Sequence, residues 1–332
     1  MKTKIASVII PTWNRGSLVV EAIESAKRQT WPNTEIIVID DGSEDDTARR
    51  LAEVTGIRYL RQQHRGQGAA RNLGLAHARG DYIATLDSDD LWESAFLERA
   101  INAMEDLDAD IIFCNWHTVA IDLTRAAGLD RDRACRWKSR PSIQVNGLRA
   151  VVPSVFRKVV LDGSYCPSSG VLLRRSSMGD IGWNEKMLVA DDWCLLLDMA
   201  FQRSSRLRIV NEPLWTKRVR SDSISFGRGV RSCLVYQAKI HDLRQIKERF
   251  TPLLDASERF LLEEHAISLY LGYSRRLLRK HSTRHAGLRM AIDILTVKPL
   301  RAAKALWTYI FIKFRIFVYG RILRETTGGE SE

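Results

Sequence analysis

The first 115 residues alternate short apolar runs with amphipathic stretches, and this alternation restricts the fold more than any other feature of the chain. Strands that are apolar on both faces need helices on both sides, so the pattern predicts an α/β fold with a mostly parallel sheet. Such sheets bind their ligands at the carboxyl ends of the strands. The predicted strands cover residues 5–10, 35–40, 57–60, 82–86 and 111–115, and the predicted helices cover residues 17–29, 45–54, 66–77 and 95–106.

Two of the predicted strands end in acidic loops. The second leads into Asp40 and Asp41, and the fourth leads into residues 87–90, which read Asp-Ser-Asp-Asp. Carboxylates packed at a strand end repel one another unless a cation holds them, and all-oxygen ligands suit Mg²⁺ or Mn²⁺. A turn or a helix cap is the structural alternative, and a helix is expected to start at residues 91–93. Two acidic ends at one edge of a sheet nevertheless favour a cleft for a metal and a nucleotide.

The composition fits one large globular domain or one domain with a helical appendage. The chain has 332 residues, of which 45% are hydrophobic. Its five cysteines are widely spaced without a Cys-x-x-Cys pair, so they indicate reduced thiols in a cytoplasmic protein and neither disulfides nor a zinc site. The short apolar run at the N-terminus ends at Pro11, which indicates a first strand and not a signal peptide.

The net charge of +11 is concentrated near the C-terminus. Residues 275–324 contain thirteen Lys or Arg side chains and one acidic residue, Asp293. Large apolar and aromatic residues accompany these charges over about residues 298–324. The charges argue against a spanning helix, and the mixture suits an anionic membrane surface, so we expect peripheral attachment to the inner face of the cell membrane. Docking on the catalytic domain or a partner subunit is the alternative, and no nucleic acid partner is expected.

Four short motifs follow one another along the predicted α/β region. Each motif alone is weak, but their order and spacing together resemble family 2 glycosyltransferases with the GT-A fold. The resemblance is strong over residues 4–115, moderate over about 165–226, and absent beyond residue 228. The motifs are Pro-Thr-Trp-Asn-Arg at residues 11–15, Asp-Asp-Gly-Ser-Glu-Asp-Asp-Thr at 40–47, Gly-Gln-Gly-Ala-Ala-Arg-Asn-Leu-Gly at 66–74, and Asp-Ser-Asp-Asp at 87–90.

The resemblance implies a Rossmann-like, mixed and mostly parallel sheet flanked by helices, with a basic helical C-terminal extension. It implies a GT-A catalytic domain over residues 1–226, divided into a nucleotide-binding half over 1–115 and an acceptor half over 116–226. Residues 227–332 would form the helical region that carries the basic tail. Between about Thr118 and Val152 the pattern weakens and becomes basic, which suggests an insertion or lid.

The resemblance also implies the reaction. Members of the family use a nucleotide-sugar donor, commonly a UDP-sugar, and often a divalent metal. The Gln-x-x-Arg-Trp motif of the processive synthases is not found in the sequence. We therefore expect inverting transfer of one sugar, or a few, to the hydroxyl of a glycan or glycolipid acceptor, such as a lipid-linked oligosaccharide of a bacterial surface polymer.

Residue-by-residue matching implies a donor site in which Asp40 contacts the base and Arg71 faces the ribose or phosphates. Asp89 would bind the metal directly, with Asp87 reaching the ribose or the metal's waters. Pairing of Arg71 with an acidic loop is the alternative, and Arg220 stands where a histidine is usual, which keeps a permanent positive charge there. The implied donor-site residues are Pro11, Thr12, Asn14, Arg15, Asp40, Asp41, Gly68, Arg71, Asp87, Ser88, Ser169, Gly170, Arg218 and Arg220.

The acceptor half must supply a base that takes the proton from the acceptor hydroxyl. Asp191 and Asp192 stand before Trp193 where the family usually shows Glu-Asp and an aromatic residue. The match implies Asp192 as the base and Asp191 as a supporting carboxylate, although the shorter side chain at 191 leaves open which of them reaches the acceptor. A helix N-terminus is the structural alternative for both acids. Trp183 and Trp193 either stack on sugar faces or belong to the core.

Two other classes of protein share parts of this pattern. A nucleotidyltransferase that makes sugar nucleotides has similar metal carboxylates, but it normally has a glycine-rich loop after the first strand, and residues 12–16 contain one glycine. A non-catalytic nucleotide-sugar binding protein would be expected to lose the base or the metal acids. Both sets of acids are present here, so the sequence favours an enzyme.

Overall fold

The computed structural model describes residues 4–121, 143–145, 148–151, 153–163, 166–220, 230–278 and 281–297. The strands are β1 Ala6–Thr12, β2 Thr34–Asp40, β3 Arg58–Arg61, β4 Tyr82–Thr85, β5 Leu91–Trp92, β6 Ile111–Ala120, β7 Ile143–Val145, β8 Leu148–Val151, β9 Val171–Arg174 and β10 Leu207–Val219. The helices are α1 Gly16–Lys27, α2 Thr47–Ala52, α3 Gln67–His77, α4 Phe96–Asp106, α5 Pro153–Leu161, α6 Arg175–Met178, α7 Asp191–Gln202, α8 Val230–Phe250, α9 Ala256–Leu278 and α10 Arg284–Val297.

The strands form one mixed sheet in the order β3-β2-β1-β4-β9-β6-β10-β8-β7, and β5 pairs with β10. β3, β2, β1 and β4 are parallel to one another. β9 lies antiparallel between β4 and β6, whereas β10 runs parallel to β6. The predicted α/β fold with a mixed, largely parallel sheet is therefore confirmed.

The central strands are buried on both faces of the sheet. All seven residues of β1 are buried. Ile9 packs into the core on one face, whereas Val8 and Ile10 pack into the core on the other. Because successive side chains of a strand point to opposite faces, a strand that is covered on both sides is expected to be apolar at most of its positions. This explains the continuous apolar runs in the sequence.

The parallel strands bring their carboxyl ends to one edge of the sheet. Thr12 is in register with Asp40 across β1 and β2, and Ile9 is in register with Thr85 across β1 and β4. The loops that follow β1, β2 and β4 therefore meet at this edge. These are the loops that carry three of the four sequence motifs.

The expected helix start at residues 91–93 is wrong. Leu91 and Trp92 form β5, which pairs with β10, and α4 begins only after that strand. Trp92 is buried, and its indole N–H donates a hydrogen bond to the carbonyl oxygen of Ser169 at 2.7 Å. Burial of a large aromatic side chain against distant partners overrides the local preference for a cap and a helix.

The C-terminal helices share a core with the rest of the chain. Leu243, Ile246 and Phe250 of α8 and Ala266 of α9 are buried in the same cluster as residues of β6, β9 and α7. No helix in the described part of the chain combines the length and apolarity needed to cross a membrane. The division of the chain near residue 226 stays a prediction, because residues 221–229 lie outside the described residues.

Two other predicted segments fall largely or wholly outside the described residues. The parts of the expected lid that are described lengthen β6 and add β7 and β8 to the edge of the sheet. The predicted membrane-associating tail, about residues 298–324, lies entirely outside them.

Candidate active site

The loop after β2 is held by its two predicted aspartates. The buried carboxylate of Asp40 accepts hydrogen bonds from the backbone N–H of Ser43 at 2.8 Å and from the hydroxyl of Tyr59 at 2.9 Å. The carboxylate of Asp41 accepts from the backbone N–H groups of Arg65 and Gly66, at 2.9 and 2.8 Å. Asp41 therefore fixes the loop that leads into α3. This is the structural role in a turn that was the alternative to ligand binding.

The loop after β1 is tied to the loop after β2. Asn14 has a positive φ of 52°, and its backbone N–H donates to the hydroxyl of Ser43 at 2.9 Å. The backbone N–H of Arg15 donates to the hydroxyl of Thr47 at 3.2 Å. Pro11 and Thr12 precede this loop and are buried, and within the described residues the Thr12 hydroxyl has no hydrogen-bond partner. The site thus contains an unsatisfied polar atom that a ligand could satisfy.

The acidic loop after β4 is positioned by Ser169, which the sequence placed in the donor site. The fully buried Ser169 hydroxyl donates to the carboxylate of Asp90 at 2.6 Å and accepts from the backbone N–H of Asp87 at 3.1 Å. The adjacent Gly170 lies so close to Trp215 that a Cβ atom there would stand 2.7 Å from the indole nitrogen. Ser169 therefore holds the acidic loop, whereas Gly170 allows the close approach of Trp215.

Arg218 holds the same loop from the opposite side. Its backbone N–H donates to Asp90 at 3.0 Å, and its guanidinium donates to the carbonyl oxygen of Asp89 and to the carboxylate of Glu21, both at 2.5 Å. Arg218 is buried, so its charge is committed to these partners. Arg220 follows at the end of the described segment and makes contacts of its own.

Carboxylates are crowded in the acidic loop, and their charges oppose one another. Burial and the neighbouring charge of Asp87 raise the pKa of Asp89, against the opposing effect of Lys217 and Arg15. Burial raises the pKa of Asp90 to about 7. Asp87 is 31% exposed and Asp89 is partly exposed, so both carboxylates are accessible from the cleft. Among the described residues no three Asp, Glu, His or Cys side chains are grouped as a complete metal site.

Arg71 lies at the centre of the site, between the acidic loop and α7. The buried guanidinium donates through Nη2 to Asp87 at 2.7 Å and through Nη1 to the fully buried carboxylate of Asp191. Burial lowers the pKa of Arg71, but the charges of Asp191 and Asp87 outweigh this effect and raise it. The contact with acidic partners, which was the alternative for Arg71, is the one observed.

The two acids at the start of α7 have different surroundings. The carboxylate of Asp191 binds both Arg71 and the side-chain amide of Gln67, so both of its oxygens are engaged. Asp192 is less buried, accepts from the backbone N–H of Trp193 at 2.7 Å, and lines a small cavity. Burial, followed by the charge of Asp191, raises the pKa of Asp192 to about 7, with Arg71 opposing the shift. Asp192 therefore has the properties of a proton acceptor near neutral pH.

The tryptophans of the acceptor half are buried. The indole N–H of Trp193 donates to the carbonyl oxygen of Val160 at 2.5 Å, and the ring packs in the core. Trp183 is also buried but lines the cavity that contains Asp192. The core assignment is therefore the correct one for Trp193.

The N-terminal part of the chain matches a known protein family. Residues 7–154 match the family model described as glycosyl transferase family 2. Residues 7–154 therefore carry a family 2 glycosyltransferase domain. The chain is 33% identical over 120 residues to the glycosyltransferase GlyG of Streptococcus pneumoniae, a match that covers 35% of this chain and 40% of GlyG. The matched region thus spans less than half the length of that relative.

Two solved structures share the fold of this chain. S. aureus TarS in complex with UDP-GlcNAc has a TM-score of 0.53 and 16% identity, over 87% of this chain and 89% of that chain. The mannosyltransferase PcManGT from Pyrobaculum calidifontis in complex with GDP-Man and Mn²⁺ has a TM-score of 0.53 and 18% identity, over 98% and 88%. At these identities the likeness establishes the GT-A fold alone.

Most of the predicted site residues lie at the carboxyl edge of the sheet, where several of them make contacts that the sequence did not predict. Gly68 is a close-approach position, because a Cβ atom there would stand 3.1 Å from the carbonyl oxygen of Asn184. Ser88 is buried within the acidic loop. Several of the predicted donor-site residues are thus bonded to other groups of the protein, and among the predicted site carboxylates those of Asp87, Asp89 and Asp192 are accessible.

Two residues of the site were not found from the sequence. The ring of Trp13 is 47% exposed at the end of β1 and stacks on His64 with 4.5 Å between ring centroids. Asp242 of α8 is fully buried and accepts hydrogen bonds from the backbone N–H groups of Leu188, Val189 and Ala190, at 2.9, 2.8 and 2.9 Å. An aspartate between the apolar positions of an amphipathic helix is the sequence signal that marks such an anchor.

Replacement of Asp242 tests the anchoring of α7. Asp242→Ala leaves three backbone N–H groups without their acceptor, and each unsatisfied buried donor costs about 1–3 kcal/mol. We expect the free energy of unfolding, measured by urea denaturation, to fall by about 2 kcal/mol or more, since some of these groups will recover a bond to water. Glu248→Ala removes an exposed carboxylate from the same helix and should leave stability nearly unchanged. Equal stability of the two variants would contradict the anchoring role.

Proposed function

We propose that this family 2 glycosyltransferase moves one sugar from a nucleotide-sugar, with UDP-sugar as the preferred donor, to an acceptor hydroxyl with inversion at the anomeric carbon. The observation that carries the proposal is the placement of Arg71. It brings the accessible carboxylate of Asp87, at the predicted donor site, next to the acids at the start of α7. Asp87 and Asp89 on one side could bind a metal, and Asp192 on the other side has a raised pKa. This arrangement supports transfer of a group from one substrate to another.

The donor side is assigned to the edge formed by the loops after β1, β2 and β4. TarS binds UDP-GlcNAc and PcManGT binds GDP-Man, as their structures are described. In this chain the exposed ring of Trp13 offers a stacking surface for a nucleobase. The unpartnered Thr12 hydroxyl lies at the end of β1, next to Trp13 in the chain and in register with Asp40, whose buried carboxylate is already bonded to Ser43 and Tyr59. These residues support a donor site at this edge of the sheet.

A divalent metal fits the acidic loop. Asp87 and Asp89 offer carboxylate oxygens, which are the ligands that Mg²⁺ and Mn²⁺ prefer. The PcManGT structure contains Mn²⁺. When bound, the metal would neutralise negative charge as the nucleoside diphosphate leaves. Asp89 is our choice for direct ligand, because Asp87 is engaged by Arg71.

Asp192 is assigned as the general base. In the proposed step its carboxylate takes the proton of the acceptor hydroxyl, the hydroxyl oxygen bonds to the anomeric carbon, and the bond from that carbon to the diphosphate breaks. The negative charge of Asp191, whose carboxylate is bound to Arg71, raises the pKa of Asp192. One helix N-terminus thus carries a charge partner for Arg71 and a proton acceptor for the substrate.

The acceptor is assigned to the class of glycans or glycolipids at the inner face of a membrane. The support comes from the basic, aromatic sequence over about residues 298–324, which suits an anionic surface. We expect the whole chain to sediment together with anionic vesicles. Complete recovery in the supernatant would refute the membrane part of the proposal.

Replacing each acid of the pair separately tests the assignment of the base. Asp192→Asn should slow release of nucleoside diphosphate from the donor by about 100-fold to 10,000-fold, the usual cost of losing a general base, while calorimetry still shows donor binding. In the wild-type protein the rate should fall as pH drops below about 7, because the protonated carboxyl cannot accept a proton. If Asp191→Asn were inactive and Asp192→Asn active, the base would be Asp191.

Calorimetric titration with UDP-, GDP- and dTDP-sugars, with and without Mn²⁺, tests the donor and metal assignments. The wild-type protein should bind one donor, and Mn²⁺ should tighten that binding. Asp89→Asn should lose the Mn²⁺-dependent part, since one carboxylate ligand is gone. Asp46→Asn, at an aspartate whose carboxylate pairs with Arg50 on the α2 side, is the control and should keep the metal effect. Binding that is equal with and without Mn²⁺ would contradict the metal assignment.

A further inference from the structure

Asn72 of α3 joins its helix to the loop before α7 through one side-chain amide. Its Nδ2 donates to the carbonyl oxygen of Trp183 at 2.8 Å, and its Oδ1 accepts from the backbone N–H of Trp183, also at 2.8 Å. The same Nδ2 donates to the carboxylate of Glu185 at 3.0 Å. An amide is one of the few side-chain groups that can donate and accept at once. Asn72 therefore pairs with both backbone groups of Trp183, as a residue of a neighbouring strand would.

Glycines at the contact allow the helix and the loop to come this close. A Cβ atom on Gly182 would lie 2.8 Å from Oδ1 of Asn72, so a larger residue there would displace the amide. A Cβ atom on Gly68, one helical turn before Asn72, would lie 3.1 Å from the carbonyl oxygen of Asn184. A larger residue at position 68 would therefore displace the loop backbone. The pairing of Asn72 with the loop depends on both glycines.

Trp183 forms one wall of the cavity that contains Asp192. The volume of the cavity is about 10 Å³, close to the minimum that one water molecule needs. Its lining also includes the apolar side chains of Leu195 and Leu196. The cavity therefore has room beside Asp192 for a single hydroxyl or water molecule and for little more.

Two consecutive residues of α3 hold the segment that leads to the acids of α7. Arg71 binds the carboxylate of Asp191 at the start of that helix. Asn72 binds Trp183, at the other end of the same segment. The segment is therefore attached at both ends to one helix. This attachment sets the distance between the Trp183 ring and the acids of the site.

We propose that Asn72 is a positioning residue for the transfer reaction, which holds Trp183 against the cavity of Asp192 and so limits the water that reaches this base. The inference rests on the proposed function, because it needs Asp192 as the general base. Burial is the main cause of the raised pKa of Asp192, and Trp183 contributes to that burial. Without the Asn72 amide, both backbone groups of Trp183 lose a hydrogen bond, and the loop is free to move away from Asp192.

The test measures hydrolysis of the nucleotide-sugar that calorimetry selects, with Mn²⁺ present and water as the acceptor. Asn72→Ala should release nucleoside diphosphate up to about 100-fold more slowly, the order of the cost of a displacement of about 1 Å near the reacting groups. The acidic fall of the rate, near pH 7 in the wild-type protein, should move down by about one pH unit as Asp192 becomes hydrated. The variant replaces none of the charged groups that interact with Asp192, which are Asp191, Arg71, Asp87 and Lys239.

Two further variants separate positioning from a general loss of packing. Gly182→Ala leaves Asn72 in place but displaces its amide, so it should move the pH profile in the same direction as Asn72→Ala. Glu185→Ala removes the exposed partner of Asn72 and leaves both bonds to Trp183, so it is the matched control and should have the wild-type profile. Hydrogen exchange at the Trp183 backbone amide gives a readout that does not depend on turnover. It should be faster in Asn72→Ala and unchanged in Glu185→Ala.

The outcomes distinguish this inference from the proposed function. An unshifted pH profile in both Asn72→Ala and Gly182→Ala would overturn the inference, even if the rates fell, because a packing defect alone lowers the rate without changing the pKa of the base. An equal shift in Glu185→Ala would also overturn it. Failure of the proposed function appears separately, as the absence of donor hydrolysis by the wild-type protein at every pH.

Discussion

The buried guanidinium of Arg71 is the interaction on which the site depends. Burying an isolated charge is costly, and this charge is tolerated because Asp87 and Asp191 accept its hydrogen bonds from two different parts of the chain. Asp87 follows a parallel strand of the N-terminal half, whereas Asp191 begins a helix of the acceptor half. Removing one partner of a buried ion pair costs about 3–5 kcal/mol, and Arg71 and Asp191 form such a pair.

The same ion pair gives the two adjacent aspartates different roles. Asp191 is committed to Arg71 and Gln67 and serves as a fixed charge. Asp192 lies next to that charge without an ion-pair partner of comparable strength, and burial raises its pKa. Two identical side chains one residue apart thus differ because of what surrounds them. The anchor for both is Asp242, so α8 belongs physically to the acceptor side of the site.

The sequence predicted the parts of the site that depend on local order along the chain. Continuous apolar runs predicted buried parallel strands, and the acids after them fell at one edge, as parallel pairing requires. Contacts between segments that are distant in the sequence could not be predicted from local patterns. Trp92 was predicted to start a helix because the acidic residues just before it resemble a helix cap. The residue that its indole N–H binds, Ser169, is 77 residues away in the chain.

The same limit explains the residues that were missed. Asp242 lies within a long helix whose apolar pattern predicts packing but does not say which loop faces it. Its partners are more than fifty residues away. Ser169 was predicted as a donor-site residue, and it contacts the acidic loop only because β9 inserts antiparallel between β4 and β6. That insertion breaks the simple βαβ order, and no local periodicity encodes it.

The most direct test of the central claim is the rate of nucleoside diphosphate release by Arg71→Lys at saturating donor and Mn²⁺. Lysine keeps the positive charge but has no planar guanidinium to bridge two carboxylates in fixed geometry. If one guanidinium aligns the donor and acceptor sides, the rate should fall by about 100-fold, as expected for a displacement of about 1 Å between reacting groups. A rate equal to that of the wild-type protein would show that charge alone suffices and would contradict the account.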